Sequence, residues 1–195
     1  MDSLDALDRA RAEFERRLDA ITDSQWELAT PCTEMTVRGL VEHLSAGNRM
    51  AVLLLAGTGR DEALAEVRAM HTVDADPTPG GTVATFRASA DAQAAALREP
   101  GALDRTCHHF VGDVPGAQLL RFRIGDLTLH AWDLARAIGA DETLDPELAE
   151  HVYTAMAPMA SFIATTGMFG SGPSGAVDDD APVQVRLLDL SGRRP

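Results

Sequence analysis

Asp126 and His130 stand four residues apart in the stretch Asp126-Leu-Thr-Leu-His130-Ala-Trp132-Asp133-Leu-Ala-Arg136, inside a segment whose spacing reads as a buried helix. An α-helix turns once in about 3.6 residues, so this carboxylate and imidazole share one face, one above the other. Positions 123, 127, 130, 134, 137 and 138 trace the inward stripe, which is apolar apart from Arg123 and His130. Buried polar groups without partners are costly, and a divalent ion would satisfy both side chains at once. A second imidazole, His43, shares a largely apolar stripe with Leu40, Leu44, Gly47, Ala51, Leu54 and Leu55. Together His43, Asp126 and His130 make a His/Asp/His donor set suited to zinc and other first-row divalent ions, including nickel. Three protein ligands leave a position for water or substrate, which separates a reactive metal from a structural one. Spacing alone leaves two plainer readings open: an i,i+4 hydrogen-bonded pair and a hydrogen-bonded core histidine.

Other residues bear on that site. Asp133, three residues after His130, is placed to orient an imidazole N–H, or to pair with Arg38 or Arg136. An ordinary helix salt bridge is the competing role for it. Arg38 and Arg123 are candidate anchors for a substrate carboxylate. Cys107-His108-His109 offers metal-binding side chains, but neighbours on an extended segment point to opposite faces, which favours a surface or pocket-rim role. His71 and His151 sit in polar surroundings and are expected to be solvated. Cys32 follows a proline at a helix entrance, where a helix dipole favours a thiolate, yet a buried, inert thiol is the simpler expectation.

These side chains need helices to hold them. Leu4, Leu7, Phe14, Leu18 and Ile21 predict a first helix over about residues 3–22. A loop with Trp26 and Thr30-Pro31-Cys32 follows, and Thr36 is a natural N-cap for the helix carrying His43, which Gly57 and Gly59 end. Val83, Phe86, Ala90, Ala94 and Leu97 predict a third helix after Pro77-Thr-Pro79, closed by Arg98-Glu-Pro100-Gly. Residues 104–116 are turn-rich and suit a small hairpin or an irregular crossover. The fourth helix carries the Asp126/His130 pair to Gly139, and Asp145-Pro146 opens a fifth. Leu148, Val152, Ala155, Met159 and Phe162 form its inward stripe, with a kink at Pro158. Gly167–Pro182 is a connector, and Val183–Leu190 suits either strand or helix. The expected architecture is an all-α bundle of four core helices with short additions.

Composition narrows the function. At 195 residues the chain is long enough for one well-filled domain, here 1–195 with its core over about 3–166. A net charge of −13 argues against nucleic acid and anionic membrane surfaces as partners. No apolar run approaches the roughly 20 residues of a membrane span, and the acidic N-terminus is unlike a secretory signal, so a cytoplasmic location is expected. Two cysteines are too few for a disulfide scaffold. All 17 basic residues are arginine, which excludes lysine Schiff-base chemistry and a P-loop.

The pieces Thr30-Pro-Cys32-Thr-Glu-Met-Thr-Val-Arg38-Gly-Leu-Val-Glu-His43-Leu and Asp126-Leu-Thr-Leu-His130-Ala-Trp-Asp-Leu-Ala-Arg-Ala-Ile-Gly139 resemble the mycothiol-dependent maleylpyruvate isomerase metal-binding domain, within the DinB-like superfamily. The ending Arg186-Leu-Leu-Asp-Leu-Ser-Gly-Arg-Arg-Pro195 is similar to that of its stand-alone members. The resemblance implies a four-helix bundle holding a divalent metal, with the family's ligands falling on His43, Asp126 and His130. It implies a low-molecular-weight thiol, mycothiol, and a small-molecule acceptor as partners, and a homodimer is compatible with the fold. Two departures stand out. The isomerase carries glutamate where this chain has Asp126, and it has a second, C-terminal domain without counterpart here. Met35 also stands where relatives usually have tryptophan. The expected function is metal-dependent thiol chemistry of the S-transferase or isomerase class, or hydrolysis by metal-activated water. Its rivals are a non-catalytic metal- or small-molecule-binding bundle, and a bundle without metal.

Overall fold

The computed structural model describes residues 1–32, 35–73, 78–161 and 172–194. Its helices are α1 (Ser3–Leu18), α2 (Val37–Leu55), α3 (Arg60–Val73), α4 (Pro79–Leu97), α5 (Gly116–Ile138), α6 (Pro146–Met156) and α7 (Val183–Leu190). Strands β1 (Thr106–His109) and β2 (Gly112–Pro115) pair antiparallel as a hairpin before α5, with Cys107 opposite Val114.

Local chemistry sets the helix ends. The Asp2 carboxylate accepts from the Leu4 N–H at the start of α1, and Thr36 Oγ1 accepts from the Gly39 N–H at the start of α2. At α6, Asp145 Oδ1 accepts from the amides of Glu147 and Leu148, with Pro146 in the first turn. Gly139 ends α5 at φ +69°, a conformation that favours glycine.

The four long helices α1, α2, α4 and α5 form the bundle, α1 packing chiefly on α5 and α2 on α4. Phe14 and Phe86 meet in the core with ring centroids 4.9 Å apart. Leu40 and Leu44 of α2 and Leu120, Ile124, Leu127 and Trp132 of α5 belong to the same buried core. A polar layer crosses this interior: Asn48 donates to Ser89 Oγ (3.1 Å) and accepts from Gln93 (2.8 Å). At the N-terminal end of α5, a Cβ on Gly116 would strike the Ala102 carbonyl, so glycine lets that helix begin against the preceding turn.

The expected all-α bundle is therefore present, and the turn-rich segment is the hairpin. Two details differ. Helix α3 had no counterpart in the sequence-based layout. Its apolar stripe is thin, with Ala63 and Val67 buried, and its start is masked by the Gly57–Gly59 stop. Helix α1 ends at Leu18, short of Ile21. At Pro158, where a kink is expected, helix α6 stops at Met156 and tightens into a 3₁₀ turn, Ala157–Met159, and helical backbone resumes at 160–161. Phe162 and residues 167–171 of the connector lie outside the described residues. The final segment is helical, burying Leu187, Leu188 and Leu190. Among the described residues, no helix is long and apolar enough to cross a membrane.

Candidate metal centre

Helix α2 brings His43, and α5 brings Asp126 and His130, to one point on the seam between them. His130 Nε2 lies 3.2 Å from Asp126 Oδ1, and His43 Nε2 lies 3.6 Å from that oxygen. The imidazole rings meet edge to face with centroids 5.1 Å apart. All three donor atoms fall within 4.8 Å of one another. Ligand atoms about 2.0–2.2 Å from a four-coordinate ion stand roughly 3.3–3.6 Å apart at tetrahedral angles. Charge-assisted hydrogen bonds between such groups run shorter, about 2.7–2.9 Å. The donor chemistry and the spacing both fit a divalent ion.

Each ligand is held from behind. Asp126 turns Oδ2 to Arg123 Nη1 (2.5 Å), leaving Oδ1 for the imidazoles. Arg123 is itself buried, with Nη2 donating to Asn48 Oδ1 (3.0 Å) and the Leu44 carbonyl (3.3 Å). Its guanidinium occupies the space where Gly47 lacks a side chain, and a Cβ there would overlap it. His130 Nδ1 faces Asp133 Oδ2 at 2.9 Å, so an Nδ1–H donated to the carboxylate leaves Nε2 directed at the ion position. Asp133 is held in turn by Arg193, whose Nε donates to Oδ1 (2.9 Å) and Nη2 to Oδ2 (2.6 Å).

These contacts set the charges. Burial alone would raise the Asp126 carboxyl, but Arg123 and His130 hold it well below the usual carboxylate range. Burial would lower His130, yet Asp126 and then Asp133 push it well above an ordinary imidazole. Asp133 is likewise opposed by burial and drawn down by hydrogen bonds from His130 and Arg193. In the metal-free chain a proton on His130 thus supplies positive charge among carboxylates, where an ion would otherwise supply it.

The site is open on one side. The His43 side chain is 42% exposed and that of Asp126 26%, against 8% for His130. Sequence spacing put His43 on the inward stripe, but it lies at the stripe's margin and faces solvent. A fourth ligand position would be reached from that edge.

Several other expectations change. Arg38 is engaged away from the triad, donating to Glu27 (2.9 Å) and Thr82 Oγ1 (3.1 Å) and lying over Trp26. Arg136 pairs with Glu142 and lies over Trp132, so the partner of Asp133 is Arg193 rather than Arg38 or Arg136. Cys32 is half-buried, not sealed in the core, with Sγ 3.8 Å from His130 Nδ1 and 3.7 Å from Asp133 Oδ2. His108 is exposed and bound to Asp113 (2.8 Å), whereas His109 stacks on Phe122 of α5 at 5.0 Å. Burial, then the nearby Arg123, lowers His109 to about 4. His151 is half-buried rather than solvated, and the side chain of His71 lies outside the described residues. Sequence reading missed Arg193, which lies sixty residues beyond Asp133 with no periodic signal to link them.

The helical bundle with its small hairpin has a DinB-like fold. Residues 7–135 match the family model described as the mycothiol maleylpyruvate isomerase N-terminal domain, and the chain belongs to that family. Uncharacterized proteins from two strains of Mycobacterium tuberculosis are each 32% identical to it over 182 residues, covering 93% of this chain and 89% of theirs. Among solved structures, a histidine-to-alanine mutant of the mycothiol-dependent maleylpyruvate isomerase aligns with TM-score 0.62 at 16% identity, covering 89% of this chain and 74% of that one. A second crystal structure of that isomerase gives 0.57 at 17% identity, covering 84% and 70%. At those identities the structural likeness speaks for the fold. The family match spans His43, Arg123, Asp126, His130 and Asp133 but ends before Arg193.

Proposed function

We propose that this chain is a divalent-metal-dependent enzyme of thiol chemistry, of the S-transferase or isomerase class, using mycothiol or a similar low-molecular-weight thiol. The observation that carries the reading is a His43/Asp126/His130 cluster whose donor atoms lie within 4.8 Å of one another, with one solvent-facing edge. Family membership supports mycothiol as the thiol. The donor set favours zinc, with nickel as the next choice.

When bound, the ion would lower the pKa of a thiol at the open position, so that the nucleophilic thiolate forms near neutral pH. The protein's own residues prepare that position. Asp133 fixes the His130 ring, and Arg123 neutralises the far oxygen of Asp126. His43 closes the cluster at its exposed edge, which sets the side from which thiol and acceptor arrive. An electrophile such as an unsaturated acid or an epoxide would meet the sulfur there. Arg123 serves this arrangement through Asp126, and its other contacts are internal.

The test is consumption of mycothiol with a panel of such electrophiles by zinc- or nickel-loaded protein. Turnover that disappears in His43→Ala and on chelation is expected. Tight metal binding without thiol consumption would instead make the chain a non-catalytic metal-binding bundle.

A further inference from the structure

The His130 ring has donor atoms on both sides. Nε2 faces Asp126 and His43, whereas Nδ1 faces Asp133 and Cys32. Cys32, His130 and Asp133 therefore form a second cluster whose donor atoms also lie within 4.8 Å of one another. A thiolate, imidazole and carboxylate set would suit zinc as well as the first does. Something must decide which ring nitrogen meets an ion.

Arg193 occupies the Cys32 side. Its guanidinium grips both oxygens of Asp133, at 2.9 and 2.6 Å, and Nη2 lies 4.0 Å from Cys32 Sγ. The fork matches the carboxylate geometry, the pairing a lysine cannot reproduce. Asp133 is buried and Arg193 half-buried, with side chains 1% and 11% exposed. The chain ending of α7 delivers it. Gly192 adopts φ +75°, its N–H donates to the Asp189 carbonyl (2.9 Å), and the Arg193 N–H donates to the Leu188 carbonyl (2.8 Å). That pair of bonds is a Schellman cap, which turns the main chain back over the helix end and sends Arg193 toward α5.

We propose that Arg193 is the positioning residue of the metal centre: by locking Asp133 and filling the cation's place beside Cys32, it presents His130 Nε2, and not Nδ1, to the ion. The proposal rests on the metal reading given above and adds the element that orients the site. Arg193 touches neither the ion position nor a substrate.

The experiment compares wild type, Arg193→Lys and Arg193→Gln. Zinc affinity is measured by competition with a chromophoric chelator, and the His130 ring nitrogens are followed by ¹⁵N-detected NMR in metal-free protein. Loss of such a supporting contact typically weakens metal binding about 10–100-fold. Arg193→Gln is expected to show that loss together with a changed His130 ring signal, and Arg193→Lys an intermediate effect. Should the unpaired Asp133 prevent folding of Arg193→Gln, Arg193→Lys, which keeps a positive charge beside Asp133 but not the two-pronged grip, decides by the same two readouts. An unchanged ring signal, or zinc affinity within about twofold of wild type, would overturn the proposal. Zinc that fails to bind even wild type marks failure of the metal reading instead, and the ring signals then decide by themselves whether Arg193 orients His130.

Discussion

Replacing Arg123 with methionine should separate the charge requirement of Asp126 from the packing of α5. Methionine keeps a long unbranched stem but removes the guanidinium that meets Asp126 Oδ2, Asn48 and the Leu44 carbonyl. Asn48 Oδ1 retains the Gln93 donor, so the principal loss is the counter-charge of Asp126. Removing one partner of a buried ion pair typically costs about 3–5 kcal/mol. Asp126 is 26% exposed, and solvent screening reduces that to about 2–4 kcal/mol. An ion at Oδ1 would restore positive charge, so the destabilisation should fall to roughly half when zinc is bound. Urea unfolding of wild type and Arg123→Met, each in EDTA and in saturating zinc, gives both numbers. A loss below about 1 kcal/mol in EDTA would refute the claim that Arg123 balances a buried carboxylate. Equal losses with and without zinc would refute the link between that carboxylate and the ion.

Gly47→Ala should imitate this variant from the opposite helix, because its Cβ overlaps the Arg123 guanidinium. Despite alanine's better helix propensity, we expect lower stability in EDTA, with part of that loss recovered in saturating zinc, read by thermal unfolding in both conditions. Stability of the metal-free chain should peak in mildly acidic solution. Asp126 and Asp133 have depressed folded values, so their contribution is present above about pH 4 and is lost as pH falls through those values. His130 is raised, so its contribution is complete below about pH 6.5 and is lost as pH rises through its folded value. Urea midpoints in EDTA should therefore decline on the alkaline side, and zinc should remove that decline. A midpoint level from neutral to alkaline pH without metal would count against the charge arrangement around His130.

The parts of this site legible in sequence were those that helical periodicity can carry. Asp126 and His130 are one turn apart on one helix, so their meeting follows from geometry within a few residues. Their contact with His43 needed only two facing stripes. The caps at Thr36 and Asp145 were equally local. What escaped depends on contacts distant in sequence. Arg193 reaches Asp133 because a cap at Gly192 turns the chain, and the segment Val183-Gln-Val-Arg186 alternates enough to suit a strand as well as a helix. Periodicity places Arg123 on the inward stripe but suggests a substrate carboxylate as its partner, because its internal contacts are visible only once Gly47 and Asn48 are seen beside it. His43 lay near enough to its stripe to be read as inward, and only the opening beside Asp126 shows that it faces solvent.

The central claim is that His43, Asp126 and His130 together hold a divalent ion. Elemental analysis of the untagged chain, with Asp126→Ala and His130→Ala prepared alongside, tests it most directly. The account predicts about one zinc or nickel ion per wild-type chain and a marked loss from both variants. A wild-type chain that carries no ion, even after reconstitution with zinc or nickel, would contradict it.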